Sequence, residues 1–270
     1  MIRLERRIQP SRLMTFASPV IALVLTALIA AVLFAALGKD PVKGLSMFFF
    51  EPLNGLRPFT EVMLKATPLI LCALGLAVCF RSNVWNIGAE GQFLLGAIAA
   101  GGVALWMGHA GWTGPRGLYA PIVLVAGVLG GMAWAALTAF LRDRFSANEI
   151  LVSLMLVYVA QQLLNYLVFG PWKDPQGFNF PQTRTFDAST WLPALASGMR
   201  LHWGFVLALV AVLVFWVFMF RSWRGYQLQV GGLAPDAARY AGFSARGALW
   251  TTLLLSGGMA GLAGAMEVAG

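Results

Sequence analysis

Residues 13–38 read LMTFASPVIALVLTALIAAVLFAALG, with no Asp, Glu, Lys or Arg. A helix needs about 20 apolar residues to cross the hydrocarbon core of a bilayer. This run supplies them, and the helix itself is predicted over 19–38. Working outward, comparable runs follow at 66–80, 91–115, 117–141, 150–172, 201–220 and 247–266. The second lengthens to 60–80 if Glu61 and Lys65 sit at the membrane interface. About seven spans in 270 residues make the chain an all-α polytopic transmembrane bundle. Composition agrees: 59% of residues are hydrophobic and only 11% charged, against roughly 25% charged in a soluble domain. So few charges cannot build a water-soluble shell, and disorder, a coiled coil and a disulfide scaffold are excluded by the same numbers.

Basic residues set orientation, because cytoplasmic segments collect them. The net charge is +8, but the 19 Lys and Arg lie scattered at the ends of apolar runs and form no stripe for nucleic acid. Arg3, Arg6, Arg7 and Arg12 make residues 1–18 a cytoplasmic tail, followed by a membrane domain over 19–270. An uncleaved first helix is favoured over a signal peptide, whose apolar core would be shorter. Alternation then places 39–59, 109–116 and 170–202 outside, and Arg81, Arg142–Arg144 and 221–246 inside. The inside segments hold 11 of the 19 basic residues. The 170–202 loop is Pro-rich and irregular, with Trp172, Trp191 and Trp203 suited to the membrane boundary. Within 221–246, the stretch PDAARY (235–240) reads as a short helix, with Pro at its first turn and Gly242 where a helix can stop. The chain ends at Gly270 inside an apolar Gly/Ala-rich run, so further spans are expected to follow.

Polar residues inside the apolar frame are the candidates for function. Between two spans the chain reads SNVWNIGAEGQFLLG (82–96). One reading is an ordinary interfacial turn. The other is a broken or re-entrant helix near 82–92, with Asn86, Glu90 and Gln92 lining a polar path. Gln161 and Asn165, four residues apart, put polar groups on one helix face as pore lining or interhelical contact. Ser146, with Glu149 three residues on, has the spacing of a capping box. Gly127 and Gly131, and Gly257, Gly258, Gly261 and Gly264, signal close helix packing. Cys72 and Cys79 read as buried free thiols, and His109 and His202 as interfacial. There is no P-loop, no HExxH and no GxSxG, and no catalytic or metal set can be assembled.

Taken in order, these segments resemble a known family. SNVWNIGAEGQFLLGA (82–97), FNFPQT (178–183) with RLHWG (200–204), GYQLQVGGLAPDAARYAG (225–242) and SGGMAGLAGAMEVAG (256–270) are similar to segments of permease subunits of bacterial ABC importers. The superfamily is the branched-chain amino acid/ribose permeases, in its nucleoside (simple-sugar-type) branch, and the resemblance covers about residues 60–270. It implies a subunit of the bacterial cytoplasmic membrane that pairs with a second permease, identical or not. Two cytoplasmic ATPase subunits would bind the ATP, this chain holding no cofactor, and an extracytoplasmic solute-binding lipoprotein would deliver substrate. Residues 225–242 resemble the segment coupled to the ATPase, which assigns Gly231, Pro235, Asp236, Arg239, Tyr240 and Gly242 to that contact. The cargo implied is a nucleoside or related small polar solute. A sugar or branched-chain amino acid is the alternative, and an ion-coupled secondary transporter using Glu90 and Glu267 is the rival of another class. Val157 departs from the pattern, standing where many relatives have Asn, and this weakens direct substrate binding by that helix.

Overall fold

A computed structural model describes residues 11–112, 114–178 and 180–270. Among these the regular structure is helical. Seven helices are long and apolar enough to cross a membrane: α1 (Arg12–Ala36), α3 (Leu56–Arg81), α4 (Ala89–His109), α5 (Ala120–Phe145), α6 (Glu149–Phe169), α7 (Gly204–Arg221) and α10 (Ala245–Ala269). Three shorter ones join them: α2 (Pro41–Phe49), α8 (Trp223–Leu233) and α9 (Pro235–Tyr240). The chain divides into two compact units, up to Val62 and from Met63.

In the first unit α1 begins at Arg12 rather than at the expected Pro19, which lies inside the helix. Residues 13–18 are uncharged and continue the apolar run. An internal proline is tolerated in a membrane helix, where a freed carbonyl can be re-satisfied locally. After Gly38, at φ +67, Asp40 caps α2 by accepting from the backbone N–H of Val42 (2.9 Å) and Lys43 (3.3 Å). Pro41 occupies its first turn.

The second unit is built on α10. In its most apolar 18-residue stretch 72% of residues are buried, against 17% for α6 and α7. It packs against α4 and α5, which also pack on each other. The small residues explain this. Lipid gives no hydrophobic drive between helices, so contact comes from close approach of backbones. A Cβ added to Gly131 on α5 would fall 2.6 Å from the Cα of Gly261 on α10. One added to Gly264 would fall 2.8 Å from the Ala97 nitrogen of α4. The three backbones therefore touch where only glycine fits, and Ala100, Val123, Ala263 and Met266 fill the core around them.

One end of the bundle is tied by charges. Asp143 near the end of α5 receives Arg246 of α10 at 2.7 Å and the indole N–H of Trp250 at 3.1 Å. Arg142 pairs with Glu149 across the α5–α6 turn. The expected capping box at Ser146 is not formed. Ser146 sits at φ +52 and ends α5. Asn148, directly before α6, caps it instead, its side-chain oxygen accepting from Ile150 N–H at 2.9 Å. The turn needs a left-handed residue at 146, so the cap moves to the next short polar side chain.

Candidate functional site

The polar stretch 82–88 is a non-helical connector between α3 and α4. Residue burial alternates along it: Ser82, Val84, Asn86 and Gly88 point inward, while Asn83, Trp85 and Ile87 face out. That is the period of an extended chain. Asn83 turns into it at φ +53, a conformation asparagine accepts.

Asn86 is the hub. Its amide nitrogen donates to Gln92 Oε1 and to Ser256 Oγ, both at 2.9 Å. Its oxygen accepts from Gly88 N–H and from Gln92 Nε2, both at 3.1 Å. Asn86, Gln92 and Ser256 are each only 1% exposed. The amide of Asn86 is thus fully satisfied, and the knot fastens the connector to α4 and α10. Gly88 lies tight against α6, where an added Cβ would meet Ser153 Cβ at 2.8 Å. Asn86→Leu would strand the Gln92 amide in a buried site, at a cost of about 1–3 kcal/mol. A lower thermal unfolding midpoint of the detergent-purified protein is the expected result.

The expected path residues therefore divide. Asn86 and Gln92 meet each other inside the bundle. Glu90, in the first turn of α4, is exposed on a different side. On α6, Gln161 and Asn165 are exposed, and Asn165 donates to Gln162 at 3.3 Å. Ser256 went unread in the sequence because it stands in a small-residue run that reads as packing alone.

A second polar feature was equally hidden. Lys65 of α3 and Glu267 of α10 form an ion pair at 2.7 Å, with side chains 63% and 45% exposed. Both belong to membrane-length helices. Nearby, His202 is buried rather than interfacial, at 5% exposure. Its Nδ1 accepts from the backbone N–H of Gly204 at 3.1 Å. Burial pushes the imidazole below its usual range, while the Glu267 charge pulls the other way. The neutral ring, with its proton on Nε2, matches an accepting Nδ1. His109 stands 3.4 Å from the Arg184 guanidinium. The loop before α7 is joined to the bundle by a hydrogen bond from Leu192 N–H to the Ala269 carbonyl at 2.6 Å.

At the opposite end of α7, residues 222–244 fold into α8 and α9. Ser222 Oγ caps α8 through Gly225 N–H at 3.0 Å. Gly232 is pressed against residues 81–82, where a Cβ would lie 2.9 Å from the Ser82 carbonyl carbon. The predicted PDAARY helix is α9, and within it only Ala238 is buried. Pro235, Asp236, Arg239 and Tyr240 are exposed, Tyr240 at 97%. Gly231 has open space where a side chain would be. Gly242, at φ +76, turns the chain toward Ser244, which caps α10 through Gly247 N–H at 3.0 Å. A bare helix is thus held one short turn from the start of the most buried helix.

Residues 59–270 match the family model described as branched-chain amino acid transport system / permease component. The chain belongs to that family. This permease is 34% identical to the glucose ABC transporter permease protein TsgB13 of Haloferax volcanii, over 98% of its own length and 70% of the relative's. It is 32% identical to the guanosine ABC transporter permease protein NupP of Bacillus subtilis, over 92% and 70%. To the nucleoside ABC transporter permease protein NupB of Lactococcus lactis it is 28% identical, over 91% and 68%. No solved structure matches it. The permease is accordingly a multi-pass membrane subunit of an ABC transporter, a transport component.

Proposed function

We propose that this permease imports nucleosides or related small polar solutes across the bacterial cytoplasmic membrane, with its N-terminus in the cytoplasm. Residues 1–18 lead in from the cytoplasm, 19–270 carry the path, 170–202 face outward and 221–246 face the ATPase. The partners are a pair of cytoplasmic ATPase subunits, a second permease and an extracytoplasmic solute-binding lipoprotein. ATP belongs to the ATPase, and this chain carries no cofactor of its own.

One observation carries the coupling: α9 presents Pro235, Asp236, Arg239 and Tyr240 to solvent, and Ala238 is its one buried residue. A short helix exposed in this way suits insertion into a groove on another protein. Gly231 and Gly242 leave it room on either side. Displacement of α9 would pass through Ser244 into α10, and from α10 into the glycine contacts with α4 and α5.

The path is assigned to the exposed polar groups. Glu90, Gln161 and Asn165, and the Lys65–Glu267 pair, lie on the outer surface of the chain. Charges facing lipid are costly, so these faces are assigned to water or to the second permease. Asn86 and Gln92, buried and bonded to each other, hold the connector beside the path. A neutral cargo with several hydroxyls suits such amides. The names of the guanosine and nucleoside relatives support a nucleoside. The glucose relative supports a sugar as the second reading.

Uptake of labelled adenosine or uridine into cells carrying the full transporter tests the cargo. Competition by unlabelled nucleosides, with little by glucose, ribose or leucine, is the expected outcome. Competition by glucose alone would replace the nucleoside by the sugar.

A further inference from the structure

A crevice of about 270 Å³ opens between the connector at 82–84, the end of α5, α8, α9 and the start of α10. Three arginines line it, Arg142, Arg224 and Arg239, and no carboxylate does. Arg142 is already matched by Glu149. Arg224 finds only the neutral amide of Gln227, at 3.2 Å. Among the described residues neither Arg224 nor Arg239 pairs with a carboxylate. Two guanidinium groups from different helices therefore converge on one cavity with their charge uncompensated.

The depth of the crevice is marked independently. Trp223 and Tyr226 of α8 stack at 5.4 Å, and Phe243, which lines the crevice, meets both edge-on at 5.8 and 6.3 Å. Trp223 and Tyr226 are 65% and 52% exposed. Rings with an apolar body and a polar tip gather at the headgroup level of a bilayer. Basic pockets between membrane helices at that level bind anionic headgroups.

We propose that this crevice holds the phosphodiester of an anionic phospholipid on Arg224 of α8, the one of the two guanidinium groups that the ATPase contact does not claim. Guanidinium forks match phosphate oxygens with paired hydrogen bonds. Free phosphate would satisfy the arginines equally well. The crevice, however, also presents the half-buried ring of Phe243, which the acyl chains of a lipid cover and an inorganic ion does not. A lipid so held would fill the space between α8 and α9, and thereby fix the posture of α9.

The leaflet follows from the orientation proposed above, whereas binding itself does not depend on it. The test is native mass spectrometry of the assembled transporter in detergent, titrated with phosphatidylglycerol or phosphatidylcholine. Preferential retention of phosphatidylglycerol is expected. Arg224→Gln should weaken it about fivefold, the effect of one basic residue at a membrane surface. Arg224→Lys keeps the charge and should retain most of the binding. Arg144→Gln, an equal charge change at an exposed arginine that does not line the crevice, should change nothing. Equal retention of the two lipids, or equal effects of Arg224→Gln and Arg144→Gln, would overturn the proposal. Phosphate binding without any lipid preference would make it a phosphate site and overturn the lipid. A preference seen in the isolated permease but abolished in the complex would give the crevice to the ATPase.

Discussion

Deleting residues 235–240, or reversing one charge with Arg239→Glu, is expected to abolish ATP-driven uptake while the chain still inserts in the membrane. The separation of these two outcomes follows from how α9 is held. Only Ala238 is buried in the short helix, so its removal costs the bundle little apolar contact. The spans and the α4–α5–α10 core lie elsewhere in the chain. What is lost is the exposed face that we assign to the ATPase groove. Arg239→Glu places a carboxylate where a guanidinium stood, and a like-charge contact across an interface costs several kcal/mol. Uptake and pull-down of the ATPase should therefore fall together, by more than about a hundredfold in affinity. Membrane-fraction yield should match the parent chain. Normal ATPase retention by either variant would remove α9 from the coupling contact.

Gly261→Leu is expected to act in the opposite way, through the fold rather than the partner. At Gly261 a single added Cβ already lies 2.9 Å from the Gly131 Cα and inside the Gly127 carbonyl oxygen. These are backbone atoms of α5, and no side-chain rotation relieves the clash. A leucine there must push α10 away from α5, opening the contacts that bury Ala260, Ala263 and Ala265. Overpacking a tight core costs typically 1–3 kcal/mol, and a backbone-on-backbone contact belongs at or above the top of that range. Folded yield after detergent extraction should drop at least tenfold, with aggregation on size-exclusion chromatography. Gly258→Ala makes a useful contrast. There an added Cβ meets only the flexible Met132 side chain at 3.2 Å and its neighbours, and yield should be close to normal.

The helices were legible because bilayer crossing demands long uncharged runs, and the sequence interrupts them with charges and prolines at their ends. The helix at 235–240 was equally legible, since its stop at Gly242 and its start at Pro235 are local signals. Local signals also misled. Pro19 suggested a helix start, yet a membrane helix carries it inside. Ser146 had the right spacing for a cap, but the α5–α6 turn needed that residue in a left-handed conformation. The site resisted reading for a different reason. Asn86 meets Ser256 across 170 positions of sequence, and Lys65 meets Glu267 across 202. No periodicity links residues so far apart. A stretch such as 82–96 shows that polar groups enter the bundle without showing which of them face one another. Asn86 and Gln92 turned inward and Glu90 outward because the connector alternates while α4 turns by 3.6 residues.

The central claim is that residues 221–246 face the cytoplasm and are gripped there by a separate ATPase. Tyr240→Cys tests it most directly, because residue 240 is 97% exposed on α9, while the native Cys79 is buried and Cys72 half-buried. A membrane-impermeant maleimide should label the introduced thiol in inside-out vesicles and not in intact cells, and the assembled ATPase should shield it. Labelling from outside intact cells, or labelling that the ATPase leaves unchanged, would contradict the account.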